Sequence, residues 1–146
     1  MILRILLIFS LQVYSVARAN PATSDTLQHE APEAIKGVTT LSANQIINEI
    51  TDNNTIVLID SRYPADRKQG FIQGSIPLPD TSTNCTSLKQ NIASLKHPVI
   101  FYCNGVRCKR SENAINIARA CGYQKLYWFR GGFDEWLANE YPYAKE

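Results

Sequence analysis

Three short, uninterrupted apolar runs constrain this chain more than any other feature: Ile56-Val57-Leu58-Ile59, Val99-Ile100-Phe101-Tyr102 and Leu126-Tyr127-Trp128-Phe129. A strand with one face in water alternates apolar and polar residues, and these runs do not alternate. They read as strands covered on both faces, which belong to parallel sheets with helices above and below. Helical stretches lie around them. Ser42 stands as an N-cap before Ile46, Ile47 and Ile50, which share one helical face. Ser111 opens another helix with Ala114, Ile115, Ile117 and Ala118 inward, and Gly122 is placed to close it in the left-handed conformation. Thr86 to Leu95 and Gly132 to Glu140 give two more, the latter with Phe133, Trp136 and Leu137 inward. The alternation predicts an α/β domain with a mostly parallel central sheet flanked by helices.

The N-terminal residues are expected to lie outside that domain. Arg4 supplies a positive charge, Ile5 to Val16 form a mostly apolar run, and Ala17-Arg18-Ala19 has the small-x-small pattern of a cleavage site. The run is shorter than the roughly 20 residues that cross a bilayer. Residues 1–19 therefore read as a signal peptide, which implies an exported, periplasmic or secreted protein. No Cys follows the small residues, so no lipid anchor is expected, and no later stretch suits a membrane span. Residues 20–36 are polar, carry Pro21 and Pro32, and read as a flexible lead-in. The folded domain is expected over 37–146.

Charge excludes one class of partner. The chain has 15 Lys plus Arg and 13 Asp plus Glu, and loss of Arg4 and Arg18 with the leader leaves 13 of each. A nucleic-acid partner demands a basic surplus to displace counterions, and there is none. The four cysteines, Cys85, Cys103, Cys108 and Cys121, are spaced by 17, 4 and 12 residues, with no C-x-x-C pair to suggest zinc. In an exported chain they allow two disulfides in three connectivities, and spacing does not choose among them.

The candidate site lies at the carboxyl ends of the strands, where open α/β sheets bind ligands. Asp60 and Cys103 each end an apolar run. Cys103 opens a loop, Asn104-Gly105-Val106-Arg107-Cys108-Lys109-Arg110, that leads to the helix at Ser111. Such a loop can turn its backbone N–H groups toward one centre, and the following helix adds its positive dipole end. Arg107, Lys109 and Arg110 add charge. A Cys at the mouth of this cradle is expected to be thiolate-rich and nucleophilic, and the cradle itself suits an oxyanion. A small buried Cys, or a structural disulfide between Cys103 and Cys108, would produce the same letters.

Four segments, taken in order, resemble the rhodanese-like family from about Gly37 to Pro142. They are Ile56 to Arg62, ending Asp-Ser-Arg; Gly70-Phe71-Ile72-Gln73-Gly74-Ser75-Ile76-Pro77, with Phe71 where the family has His; Tyr102 to Ser111; and Arg130-Gly131-Gly132-Phe133-Asp134-Glu135-Trp136 followed by Tyr141-Pro142. The resemblance implies a three-layer fold around a five-stranded sheet, and a sulfurtransferase with Cys103 as its nucleophile. By that resemblance Cys103 takes sulfur from thiosulfate or another sulfane-sulfur donor, holds it as a persulfide, and yields it to cyanide, a thiol or a protein. No metal or organic cofactor is implied. Asp60, Arg62 and Ser111 are implied to support the loop, while Trp128, Phe133 and Trp136 are expected in the core.

The loop departs from the family's common form. Seven residues separate Cys103 from Ser111 where the usual pattern has five, and Asn104 stands where Arg is usual. A wider loop suits phosphate-like or arsenate-like anions, but enzymes of that kind need Arg at the sixth position after Cys, and here it is Lys109. The pattern Cys-Asn-Gly-x-x-Cys-x-x-Ser resembles exported rhodanese-like proteins. It leaves Cys108 open as a reversible partner of Cys103, which would make the domain a thiol-redox or binding module, or as a bystander. Cys85 and Cys121 are left equally open between a bridge and the core.

Overall fold

The computed structural model describes residues 30–52 and 55–145, so the expected leader and most of the lead-in lie outside the described residues. The strands are β1 (Thr39–Thr40), β2 (Val57–Asp60), β3 (Ile76–Pro77), β4 (Val99–Tyr102) and β5 (Leu126–Phe129). The helices are α1 (Ala43–Asp52), α2 (Pro64–Arg67), α3 (Cys85–Asn91), α4 (Arg110–Ala120) and α5 (Gly132–Ala138), with a 3-10 turn at Asp80–Ser82. The strands form a five-stranded sheet in the order β1-β5-β4-β2-β3, and every pairing is parallel.

The apolar runs account for this order. β4 is buried at all four positions and takes the middle, because no other run lacks a partly exposed residue. Side chains alternate between two cores. Val99 and Phe101 pack with Ala114, Ala118 and Trp128 on the α4 side, while Ile100 and Tyr102 pack with Ile46, Phe129 and Trp136 on the α1 and α5 side. The expected core aromatics Trp128, Phe133 and Trp136 are all buried.

Local signals set the helix ends. Ser42 caps α1 reciprocally: its N–H donates to Gln45 Oε1 at 2.9 Å, and its hydroxyl accepts from the Gln45 N–H at 3.4 Å. Gly122, at φ +92°, closes α4 with a Schellman pair: its N–H donates to Arg119 O at 3.0 Å, and the Tyr123 N–H donates to Ala118 O at 3.1 Å. The third helix starts one residue earlier than expected and stops at Asn91, short of Leu95. Asn84 caps it through the N–H groups of Thr86 and Ser87. A disulfide between Cys85 and Cys121, with Cα atoms 5.4 Å apart, ties the start of α3 to the end of α4. It spans 36 residues, a closure that stabilises by about 2–4 kcal/mol.

Part of the expected lead-in is packed against the domain. Ala31 and Ile35 are buried in the α4-side core at 3% and 8% exposure. Arg130 binds the carbonyls of Ala31 and Pro32, and Arg119 donates to the carbonyl of Lys36 at 2.6 Å. The polarity of 20–36 hid these two apolar anchors. A segment held by backbone carbonyls needs no sequence period of its own.

A candidate active-site loop at the end of the central strand

The parallel register places Asp60 beside Tyr102 and Tyr102 beside Phe129, so the chain leaves β2 and β4 on one rim. Cys103 follows Tyr102 directly, and Ser61 reaches across to donate its N–H to Tyr102 O at 2.9 Å. The loop is held from three sides. The N–H groups of Phe133 and Asp134, at the start of α5, donate to the carbonyls of Cys103 at 2.9 Å and Asn104 at 2.7 Å. The Ala31 N–H donates to Val106 O at 2.8 Å. The Cys108 N–H closes a turn onto Gly105 O at 2.9 Å. The N–H groups of Gly105, Val106 and Arg107 find no acceptor among the described residues, which leaves them available to an anion.

Two glycines are fixed by this packing. Gly132 has φ +57°, and a Cβ there would strike the backbone of Cys103 and Asn104. A Cβ on Gly105 would meet the carboxylate of Asp134.

Cys103 is joined to Cys108 in a disulfide, with Cα atoms 6.1 Å apart. Cys103 does not sit at the mouth of the loop as expected; it is 2% exposed. The strand end buries it beneath its own loop, and Cys108 is the less buried residue of the pair. A cleft of about 530 Å³ opens beside it, lined by Asn104, Arg107, Cys108, Lys109, Arg110, Asn113 and Asp80. The Arg110 guanidinium stacks 3.3 Å above the Tyr63 ring and lies 3.6 Å from Asp80, whose other oxygen accepts from Asn113 Nδ2 at 3.0 Å. Arg107 and Lys109 are exposed.

A buried charge network stands behind the loop. Asp60 accepts from Arg62 Nε at 2.9 Å and Nη2 at 2.7 Å, from Arg67 Nη1 at 3.2 Å, and from the Tyr102 hydroxyl at 2.7 Å. Arg62 also donates to Gly70 O at 2.9 Å and reaches Asn104 Oδ1 at 3.5 Å, linking β2 to the loop. Burial works against the Arg62 charge, but hydrogen bonding and the charge of Asp60 outweigh it and raise its pKa. Burial, reinforced by the Asp60 charge, lifts the Tyr102 phenol well above its ordinary range.

Of the expected site residues, 103–109 form one continuous loop that runs into Arg110 at the start of α4; Arg62, just past β2, reaches it at Asn104, and Asp60 stands behind, bound to Arg62 and Tyr102. Ser111 lies beneath the loop: buried, its hydroxyl accepts from Trp128 Nε1 at 2.9 Å. Sequence reasoning missed Arg67, Ser75 and Tyr102 in the network, and Tyr63, Asp80 and Asn113 in the cleft. Tyr102 was hidden because its hydroxyl ends an otherwise apolar run. Phe71, the departure from His, packs under Arg67, whose guanidinium lies 3.6 Å from the ring centre.

The fold and the loop together define a family. A profile of the Rhodanese-like domain matches residues 42–139, and the chain belongs to that family. An uncharacterized protein of Buchnera aphidicola subsp. Baizongia pistaciae is 29% identical over 109 residues, covering 70% of this chain and 69% of its own. Among solved structures, a Bacillus halodurans protein superposes with TM-score 0.67 at 19% identity, over 73% of this chain and 77% of that one. The thiosulfate sulfurtransferase of Pseudomonas aeruginosa gives 0.63 at 16% identity, over 74% of this chain and 20% of that one. The polysulfide-sulfur transferase of Wolinella succinogenes gives 0.62 at 23% identity, over 75% and 80%. These likenesses establish the fold.

Proposed function

We propose that this chain is a sulfurtransferase in which Cys103, once reduced, carries sulfur as a persulfide. The observation that carries the reading is the position of Cys103, at the end of the central strand under a loop whose cationic cleft suits an anionic donor. The thiolate attacks the outer sulfur of thiosulfate or another sulfane-sulfur donor. A new S–S bond forms, the donor's S–S bond breaks, and its remainder, sulfite in the case of thiosulfate, leaves with the electron pair. Arg107, Lys109, Arg110 and the helix N-terminus favour the thiolate, the incoming dianion and the persulfide anion alike. A thiol, a protein thiolate or cyanide then takes the outer sulfur. The names of the Pseudomonas and Wolinella neighbours point the same way. Asp60 and Arg62 act in this reading as positioning residues. Two disulfides fit an oxidising, extracytoplasmic compartment.

The test is mass analysis of the reduced chain after thiosulfate, alongside thiocyanate production from cyanide. One added sulfur on the Cys103 peptide, lost with the thiocyanate signal in Cys103→Ser, supports the reading; reduced protein that gives neither refutes it. The Cys103–Cys108 disulfide favours a second reading, a thiol-redox module. That module would exchange disulfides with a dithiol and make no thiocyanate.

A further inference from the structure

We infer that Cys108 is a resolving residue, which expels the sulfur carried by Cys103 as hydrosulfide and closes the disulfide seen in the structure. This rests on the sulfur-transfer reading and adds a reductive activity to it. The argument begins with access. A persulfide on Cys103 has an outer sulfur, which soluble acceptors can reach, and an inner one, the Cys103 Sγ. In the persulfide the outer sulfur stands where the donor was met, and Cys103 itself is 2% exposed beneath its loop, so an external thiol meets the outer atom first. Cys108 reaches the inner one: the two Cα atoms lie 6.1 Å apart, inside the range that a disulfide bridges, and the Gly105–Cys108 turn holds Cys108 facing it.

The step balances without a further reagent. The Cys108 thiolate attacks Cys103 Sγ, the Cys103–Cys108 bond forms, the persulfide S–S bond breaks, and hydrosulfide leaves with the electron pair. Arg107, Lys109 and Arg110 line the cleft beside Cys108, where they favour its thiolate and the departing anion. The disulfide is then reopened by two electrons from an external dithiol. That dithiol enters at Cys108, the less buried residue of the pair and part of the cleft wall, and Cys103 leaves as the regenerated nucleophile.

The experiment uses the full chain with its cysteines reduced, treated with thiosulfate in the absence of cyanide and of external thiol. Free hydrosulfide and the masses of the peptides containing 103 and 108 are followed with time. Wild type should release hydrosulfide stoichiometrically with chain as the two peptides become disulfide-linked. In Cys108→Ser and Cys108→Ala the extra sulfur should remain on Cys103, with hydrosulfide release slowed by on the order of a hundredfold, as expected for loss of an intramolecular nucleophile. A wild-type persulfide as long-lived as that of the variants would overturn the inference and leave the sulfur-transfer reading standing. Sulfur found on Cys108 instead would also overturn it, since the outer atom would then have been the target. If neither wild type nor variant takes up sulfur, both readings fall.

Discussion

Tyr102 and Asp60 are register partners on neighbouring strands, and the Tyr102 hydroxyl donates to the Asp60 carboxylate at 2.7 Å. The bond locks the last residue of β4 against β2, one peptide before Cys103. It also completes a buried cluster in which one carboxylate serves two arginines, Arg62 and Arg67. The two guanidinium groups also donate to Gly70 O, Ser75 O and Ser75 Oγ, which accept at 2.9, 3.1 and 2.9 Å.

Removing the carboxylate should therefore cost more than removing an ordinary ion pair. Asp60→Ala takes from two buried guanidinium groups the carboxylate they share, and a loss of about 3–5 kcal/mol is expected. Asp60→Asn keeps one oxygen acceptor and should lose less. Guanidinium unfolding curves of the three proteins give the comparison; an alanine variant within experimental error of wild type would show that the cluster contributes little.

Gly132, at the start of α5, and Gly105, in the loop, should separate by what a new methyl group would touch. At Gly132 it meets the loop backbone at Cys103 and Asn104, with a left-handed φ besides, so Gly132→Ala should destabilise by about 1–3 kcal/mol and displace the loop. At Gly105 it meets the Asp134 side chain, most closely its carboxylate oxygen, which can turn away, and no backbone, so Gly105→Ala should be milder. Thermal melts and rates of persulfide loading on both variants check the order, and a reversed order would contradict the packing described.

The cleft charges should act on donor capture. Neutralising Arg107 or Lys109 with Gln is expected to lower kcat/KM for thiosulfate by about threefold to tenfold, chiefly through KM, and added salt should shrink the difference. Steady-state thiocyanate assays at low and high ionic strength read this directly. A defect independent of salt would mean that these side chains shape the loop rather than attract the anion.

Much of this was legible in the sequence because it depends on continuous local patterns. The apolar runs at 56–59, 99–102 and 126–129 fixed three parallel strands, and Ser42 and Gly122 marked their helix ends by capping chemistry alone. The loop from Cys103 to Arg110 was legible for the same reason, being one unbroken segment. What escaped depends on contacts distant in sequence. Arg67 sits in a short helix and reads as a surface charge until Asp60 and Ser75 surround it. Asp80 and Asn113 reach the cleft only after the chain has folded back on itself. The burial of Cys103, and hence the exchange of roles with Cys108 at the surface, follows from tertiary packing by α5 and residues 31–35, which no local pattern encodes.

The Tyr102 phenol gives the site a pH limit whose sign can be worked out. Its folded pKa lies above the ordinary value of 10.0, mainly through burial and then through the Asp60 charge. The folded state therefore holds the proton more tightly than the unfolded chain. That contribution is fully present below about pH 10 and is lost as pH rises beyond it. Tyr123, raised by burial, acts in the same direction and is unaffected by changes at 102. Tyr102→Phe removes the bond to Asp60 together with the hydroxyl's contacts to Ser75 Oγ at 3.1 Å and the Ile72 N–H at 3.3 Å, and should cost about 1–3 kcal/mol near neutrality. It also removes the proton linkage, so the stability gap between wild type and variant should narrow above pH 10. Unfolding curves for both proteins from neutral to strongly alkaline pH measure that gap. A gap that stays constant or widens would mean that the phenol is not held protonated by the fold, and the bond to Asp60 would then not be what locks β4 beneath Cys103.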